Sequence, residues 1–111
     1  MTQMRQQAVL FADVSGSTRL YERLGDRLAQ ALIERCVRAM QQVTLLWNGS
    51  VVKTIGDEVM ATFADAVTGC RAAAEMQIAV CTLPEAIEYG LTIHSRIHFG
   101  QVMVSDGGVA V

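Results

Sequence analysis

Apolar positions along this chain change period several times, and each change marks an element. Ala8 to Ala12 is a continuous apolar run that stops at Asp13, the pattern of a buried strand. Ser15, Gly16, Ser17 and Thr18 follow as a helix-start signal. Beyond them Leu20, Leu24, Leu28, Leu32, Cys36, Met40 and Val43 recur at helical spacing, with arginine and glutamate mostly on the other side. Gly25-Asp26 interrupts the stripe, so a kink is expected there, with Asp26 capping a second helical segment. Asn48-Gly49 supplies a left-handed stop.

Ser50 to Thr54 and Glu58 to Phe63 read as two strands joined by a Gly56-Asp57 hairpin turn. Ala66 to about Cys81 reads as an alanine-rich helix, with Val67, Cys70, Ala74, Ile78 and Cys81 on its inner side. Pro84 marks a loop. Leu91 to Phe99 is a long strand that Gly100 to Val104 continues, and Asp106-Gly107-Gly108 is a turn. The order is therefore βαββαβ, without internal repeats. Right-handed crossovers on that order predict an α+β, ferredoxin-like fold. Its four-stranded antiparallel sheet has the order four, one, three, two, and helices cover one face. The first and third strands are then central antiparallel neighbours. The end of the first, at Asp13, meets the start of the third, at Asp57.

Composition narrows the function classes. The chain has 111 residues, 51% hydrophobic and 18% charged, with a formal net charge of -2. That is enough apolar material for one domain, residues 1–111, and too patterned for a disordered tail. No lysine or arginine cluster is large enough for a nucleic-acid face. Cys36, Cys70 and Cys81 are odd in number and widely spaced, which argues for buried, reduced thiols and a cytoplasmic protein. Met1 to Gln7 is polar and lacks an apolar signal core, and no run is long enough to span a membrane.

The candidate chemistry sits at the two strand ends. Paired aspartates at a sheet edge are hard oxygen ligands that suit Mg²⁺ or Mn²⁺. Their mutual repulsion favours a bound cation. The turn from Val14 to Thr18 exposes backbone N–H groups at a helix start, which can hold phosphate, and Gly16 permits close approach. Taken singly, Asp13 is a cap, Asp57 a hairpin residue and Lys53 a solvated strand residue. Their joint placement points to a metal and a triphosphate.

Phe11-Ala12-Asp13-Val14-Ser15-Gly16-Ser17-Thr18 and Lys53-Thr54-Ile55-Gly56-Asp57-Glu58-Val59-Met60-Ala61 resemble the class III adenylate/guanylate cyclase catalytic domain. Arg19-Leu20 through Leu24-Gly25-Asp26 and Ile97-His98-Phe99-Gly100-Gln101-Val102 extend the resemblance from Val9 to about Gly108. It implies conversion of ATP to cyclic AMP and pyrophosphate for intracellular signalling. It also implies two metal ions held by Asp13, Asp57 and the Val14 carbonyl. Gly16, Ser17 and Thr18 would contact the phosphates. Family enzymes are dimers with shared sites, so a homodimer is expected, with Lys53 of one chain selecting adenine in the site of the other. Fused sensor or regulatory domains are expected in a longer parent chain.

The departures also carry meaning. A second base-selecting Asp or Thr, then an Asn and an Arg, are expected beyond Val111, so the domain is read as incomplete at its C-terminus. The 111-residue chain alone is expected to be inactive or very weak. The alternative is a non-catalytic regulatory module that binds nucleotide or a partner. A diguanylate cyclase shares the βαββαβ plan, but its hairpin usually carries two glycines, two acids and a phenylalanine, unlike Ile55-Gly56-Asp57-Glu58-Val59. Where many members carry arginine and glycine, this chain has His94 and Arg96. These share a strand face with His98.

Overall fold

The computed structural model describes residues 2–105 and 108–110. In chain order the elements are β1 (Gln3–Ser15), α1 (Ser17–Leu24), α2 (Asp26–Leu46), β2 (Ser50–Ile55) and β3 (Glu58–Phe63). Then come α3 (Ala66–Cys81), α4 (Pro84–Tyr89), β4 (Thr92–Ser105) and β5 (Gly108–Ala110). The sheet order is β2-β3-β1-β4-β5, with every pairing antiparallel. The first four strands take the α+β arrangement that the sequence predicts. β5 adds an edge strand beside the end of β4. The expected turn at Asp106-Gly107 lies outside the described residues.

Strand alternation divides β1 between two faces. Ala8, Leu10, Ala12 and Val14 are buried beneath the helices with Val59, Ala61 and Phe63 of β3 and Ile93 of β4. Leu20, Leu32, Cys36, Met40 and Val43 close that core from α1 and α2. Burial pushes the Cys36 thiol up, which keeps it protonated and unreactive. The odd-numbered residues of β1 lie on the opposite, helix-free face. There Val9, Met60 and Val102 form a small cluster with Phe11, Val52 and Val104 against it.

β1 is much longer than its apolar run. It pairs with β4 from Gln3↔Val104 to Ser15↔Thr92, so main-chain bonding carries the polar Gln3–Gln7 stretch into the strand. Beyond the start of β4, the Gln77 side chain acts as a substitute strand. Its Nε2 donates to the Ile93 carbonyl at 2.9 Å, and its Oε1 accepts from the Ile93 N–H at 2.7 Å. That satisfies an otherwise open sheet edge.

Four expectations are corrected. α3 buries Gly69, Ala72, Met76 and Val80, whereas Val67 and Ile78 are 62% and 63% exposed. An alanine-rich helix is apolar on several sides, so periodicity alone cannot choose the inner one. Gly69 shows why this side wins: a Cβ there would stand 3.1 Å from the Ala8 Cβ, so glycine lets α3 lie close on β1. Cys70 is accordingly exposed and Cys81 half-buried, so only Cys36 is a core thiol. Pro84 starts α4 rather than marking a loop, because a helix's first turn needs no N–H there. Asp26 is the first residue of α2 and caps nothing with its side chain. Gly25, at φ 79°, makes the break, and Leu28 just beyond it is 55% exposed.

Candidate active site

Asp13 sits two residues from the end of β1 on the helix-free face. Its register partners are Glu58 of β3 on one side and His94 of β4 on the other. Side chains directly opposite in antiparallel strands share a face, so Asp13, Glu58 and His94 form a row across the sheet. The Asp13 carboxylate is 3.7 Å from His94 Nδ1, with side-chain exposures of 39% and 75%. Phe11 and Arg96, also opposite each other, complete a depression of about 180 Å³. The Arg96 guanidinium lies 4.8 Å from the centre of the Phe11 ring.

Asp57 follows Gly56 in the β2–β3 turn, where Gly56 takes a left-handed φ of 57°. The Asp57 carbonyl accepts a hydrogen bond from the Val14 N–H at 3.3 Å. The hairpin is thereby tied to the main chain next to Asp13. The two aspartates become neighbours although 44 positions separate them in sequence, from 13 to 57. The two residues line different depressions. Asp57 lines one of about 360 Å³ with Ser17, Tyr21, Gln30, Glu34 and Gly56.

Gly16 turns the chain from β1 into α1 with φ 97°. A Cβ at this position would meet the Gly90 carbonyl oxygen at 3.3 Å. Its carbonyl accepts from the Leu20 N–H, but no side chain caps the helix start. The first N–H groups of α1, at Ser17 and Thr18, therefore have no intrahelical partner. Ser17 lies beside Asp57, so the helix start and the second aspartate border one depression. Lys53 is exposed on β2, opposite Met60 and just past a β-bulge. β3 separates it from β1, and it lines neither depression.

Two surface-reachable carboxylates at a sheet edge are a donor set suited to Mg²⁺ or Mn²⁺, which keep several waters. Among the described residues no group of three or more His, Cys, Asp or Glu side chains is placed to hold a metal. An ion here would share its shell with water and substrate oxygens. Glu58 in the Asp13 depression, and Tyr21, Gln30 and Glu34 in the Asp57 depression, were not singled out in the sequence. Strand register is the signal for Glu58. The other three come from helix packing, which no local pattern reveals.

Residues 1–108 match the family described as the adenylate and guanylate cyclase catalytic domain. The chain belongs to this family. Among solved structures it resembles a bacterial light-regulated adenylyl cyclase at 21% identity and a TM-score of 0.81, covering 99% of this chain and 36% of that one. The adenylyl cyclase CyaB from P. aeruginosa is similar at 25% identity and a TM-score of 0.71, covering 99% and 65%. An adenylate/guanylate cyclase/hydrolase from Silicibacter pomeroyi is similar at 26% identity and a TM-score of 0.78, covering 98% and 64%. The chain thus spans about a third of the light-regulated enzyme and just under two thirds of the other two. No curated protein sequence matches it significantly. Among the described residues no helix is long and apolar enough to cross a membrane.

Proposed function

We propose that this chain is the catalytic core of an adenylate-type nucleotide cyclase, which converts ATP to cyclic AMP and pyrophosphate for intracellular signalling. The observation that carries the reading is the Val14–Asp57 main-chain bond, which seats the hairpin aspartate next to Asp13 and the glycine-led start of α1. In the reaction the ribose 3′-oxygen bonds to the α-phosphorus as the bond to the β-phosphate bridging oxygen breaks. The hydroxyl proton is lost and pyrophosphate leaves.

Asp13, Asp57 and the Val14 carbonyl are the groups that would hold two Mg²⁺ or Mn²⁺ ions. Such ions activate the attacking oxygen and offset charge on the leaving pyrophosphate. Gly16 lets the phosphates approach the backbone, and the Ser17 and Thr18 N–H groups donate to them. Lys53 acts from a second copy of the chain, because in its own chain β3 stands between it and Asp13. As a cation it suits adenine's acceptor nitrogens. The helix-free face, with its apolar cluster around Met60 and the 59% exposed Ile55 at the hairpin end, suits contact with that copy.

The test is cyclic AMP formation from ATP with Mn²⁺ or Mg²⁺, by the protein at its full natural length. An Asp57→Ala change should lower turnover by roughly 100-fold or more, in the range for losing a preorganised electrostatic group. Full activity in that variant would remove Asp57 from the reaction. Nucleotide binding without any turnover would favour the non-catalytic alternative.

A further inference from the structure

We propose that the outer side of α3 is a self-association surface, on which the α3 of a second copy of this chain lies antiparallel. The proposal goes beyond the cyclase reading and does not depend on it.

α3 is apolar on two opposite sides. Gly69, Ala72, Met76 and Val80 pack it onto the sheet. Val67, Cys70, Ala74 and Ile78 lie on the other side, at intervals of three, four and four residues. At about 100° per residue they fall within about 80° of one another, centred about 160° from the buried set. All four are exposed, Val67 by 62% and Ile78 by 63%. Single apolar residues are ordinary on a protein surface. A continuous stripe at intervals of three and four is the seam by which one helix packs on another.

The charges beside the stripe select its occupant. Arg71 and Glu75 lie along one flank, both exposed, and among the described residues neither forms a salt bridge. The other flank, at Ala66, Ala73 and Gln77, is uncharged. In an antiparallel pair of helices related by a two-fold axis, like flanks meet. With that axis level with Ala73, Arg71 and Glu75 stand two residues to either side of it. Arg71 of each copy is then level with Glu75 of the other, which gives two reciprocal ion pairs. The same register sets Val67 about 1.5 Å along the helix from Ile78 of the other copy. A parallel pair would instead turn both charges toward the uncharged flank. One register thus matches the apolar and the charged positions together, and the matching surface is α3 itself. The sheet separates α3 from the helix-free face, so pairing here leaves that face open. A stripe this short buries less than the roughly 1,200 Å² of stable interfaces, so association is weak and rises with concentration.

The experiment is sedimentation velocity on the full-length protein over a wide concentration range at low salt, with maleimide labelling of Cys70 in the same samples. The wild type should gain a heavier species as concentration rises, while Cys70 labels more slowly. Ile78→Lys should weaken that step about tenfold or more, with the thermal midpoint unchanged, because Ile78 packs on nothing within its own copy. Arg71→Glu and Glu75→Arg should each weaken it roughly 3- to 30-fold, as expected for two exposed ion pairs turned repulsive. The double variant carrying both changes should return to within about twofold of wild type. A wild-type mass equal to that of Ile78→Lys at every concentration would overturn the proposal. So would a double variant no better than the single ones. Slow Cys70 labelling that does not vary with concentration would assign the stripe to a segment of the same chain, and would overturn it as well. Loss of cyclase activity in Asp57→Ala bears only on the site, and these outcomes bear only on α3.

Discussion

Replacing Gly16 with alanine probes the turn that joins the strand of Asp13 to the helix start. Gly16 has φ 97°, a conformation that costs an L-residue about 1–2 kcal/mol. The new Cβ would also stand 3.3 Å from the Gly90 carbonyl oxygen, a backbone atom that cannot swing aside. That contact adds on the order of 1 kcal/mol. Alanine also restricts the unfolded chain, which offsets about 0.4–1 kcal/mol. The net loss is about 1–2.5 kcal/mol. Gly56→Ala supplies the control. Gly56 has φ 57°, but a Cβ there meets nothing within 4 Å, so only the backbone cost applies. Its net loss should be about 0–1.6 kcal/mol, smaller than that of Gly16→Ala by the contact term of about 1 kcal/mol. Urea unfolding followed by circular dichroism separates the two. With an m-value of about 2 kcal/mol/M, Gly16→Ala should lower the midpoint by roughly 0.5–1.2 M, and Gly56→Ala by about 0.5 M less than that. A Gly16→Ala midpoint at or above that of Gly56→Ala would refute the steric argument. If the turn also positions the phosphate-binding N–H groups, Gly16→Ala should lose nucleotide affinity beyond its loss of stability.

A Lys53→Glu change should lower the ATP-to-GTP selectivity of cyclisation about tenfold or more, and an unchanged ratio would take Lys53 out of base selection. Gln77→Ala strips both partners from Ile93 and should destabilise by about 1–2 kcal/mol, with faster hydrogen exchange at the Ile93 amide. An unchanged midpoint and protected amide would show that the sheet edge needs no substitute. The Asp65 carboxylate caps α3 by accepting from the Thr68 N–H at 2.7 Å, which holds its pKa below the ordinary carboxylate value. A folded-state pKa below the unfolded one gives stability that is complete above the unfolded value, about pH 4, and lost as pH falls through the folded one. The difference in thermal midpoint between wild type and Asp65→Ala should therefore be largest at neutral pH and shrink below about pH 4. A pH-independent difference would contradict this.

Local pattern alone placed most of the elements. The Gly25 break, the Asn48-Gly49 stop and the β2–β3 hairpin all stand where backbone preference puts them. Asn48 and Gly56 take left-handed φ values of 59° and 57°. Strand order followed as well, because handedness and the βαββαβ sequence leave few topologies. Through that order the sequence by itself determined that Asp13 and Asp57 would meet. Periodicity failed where it is degenerate. Several sides of α3 are apolar enough to be buried, and close packing of Gly69 on Ala8 decided among them. The true length of β1 likewise came from pairing with β4, since Gln3 to Gln7 show no strand pattern. Around the site, tertiary structure alone decided which side chains surround each aspartate. Register set Glu58, His94 and Arg96 beside Asp13, and helix packing set Tyr21, Gln30 and Glu34 beside Asp57. The physical reason is one of range. Backbone preferences act over a few residues and are written in the local sequence, whereas the neighbours of a side chain are fixed only when distant segments pack together.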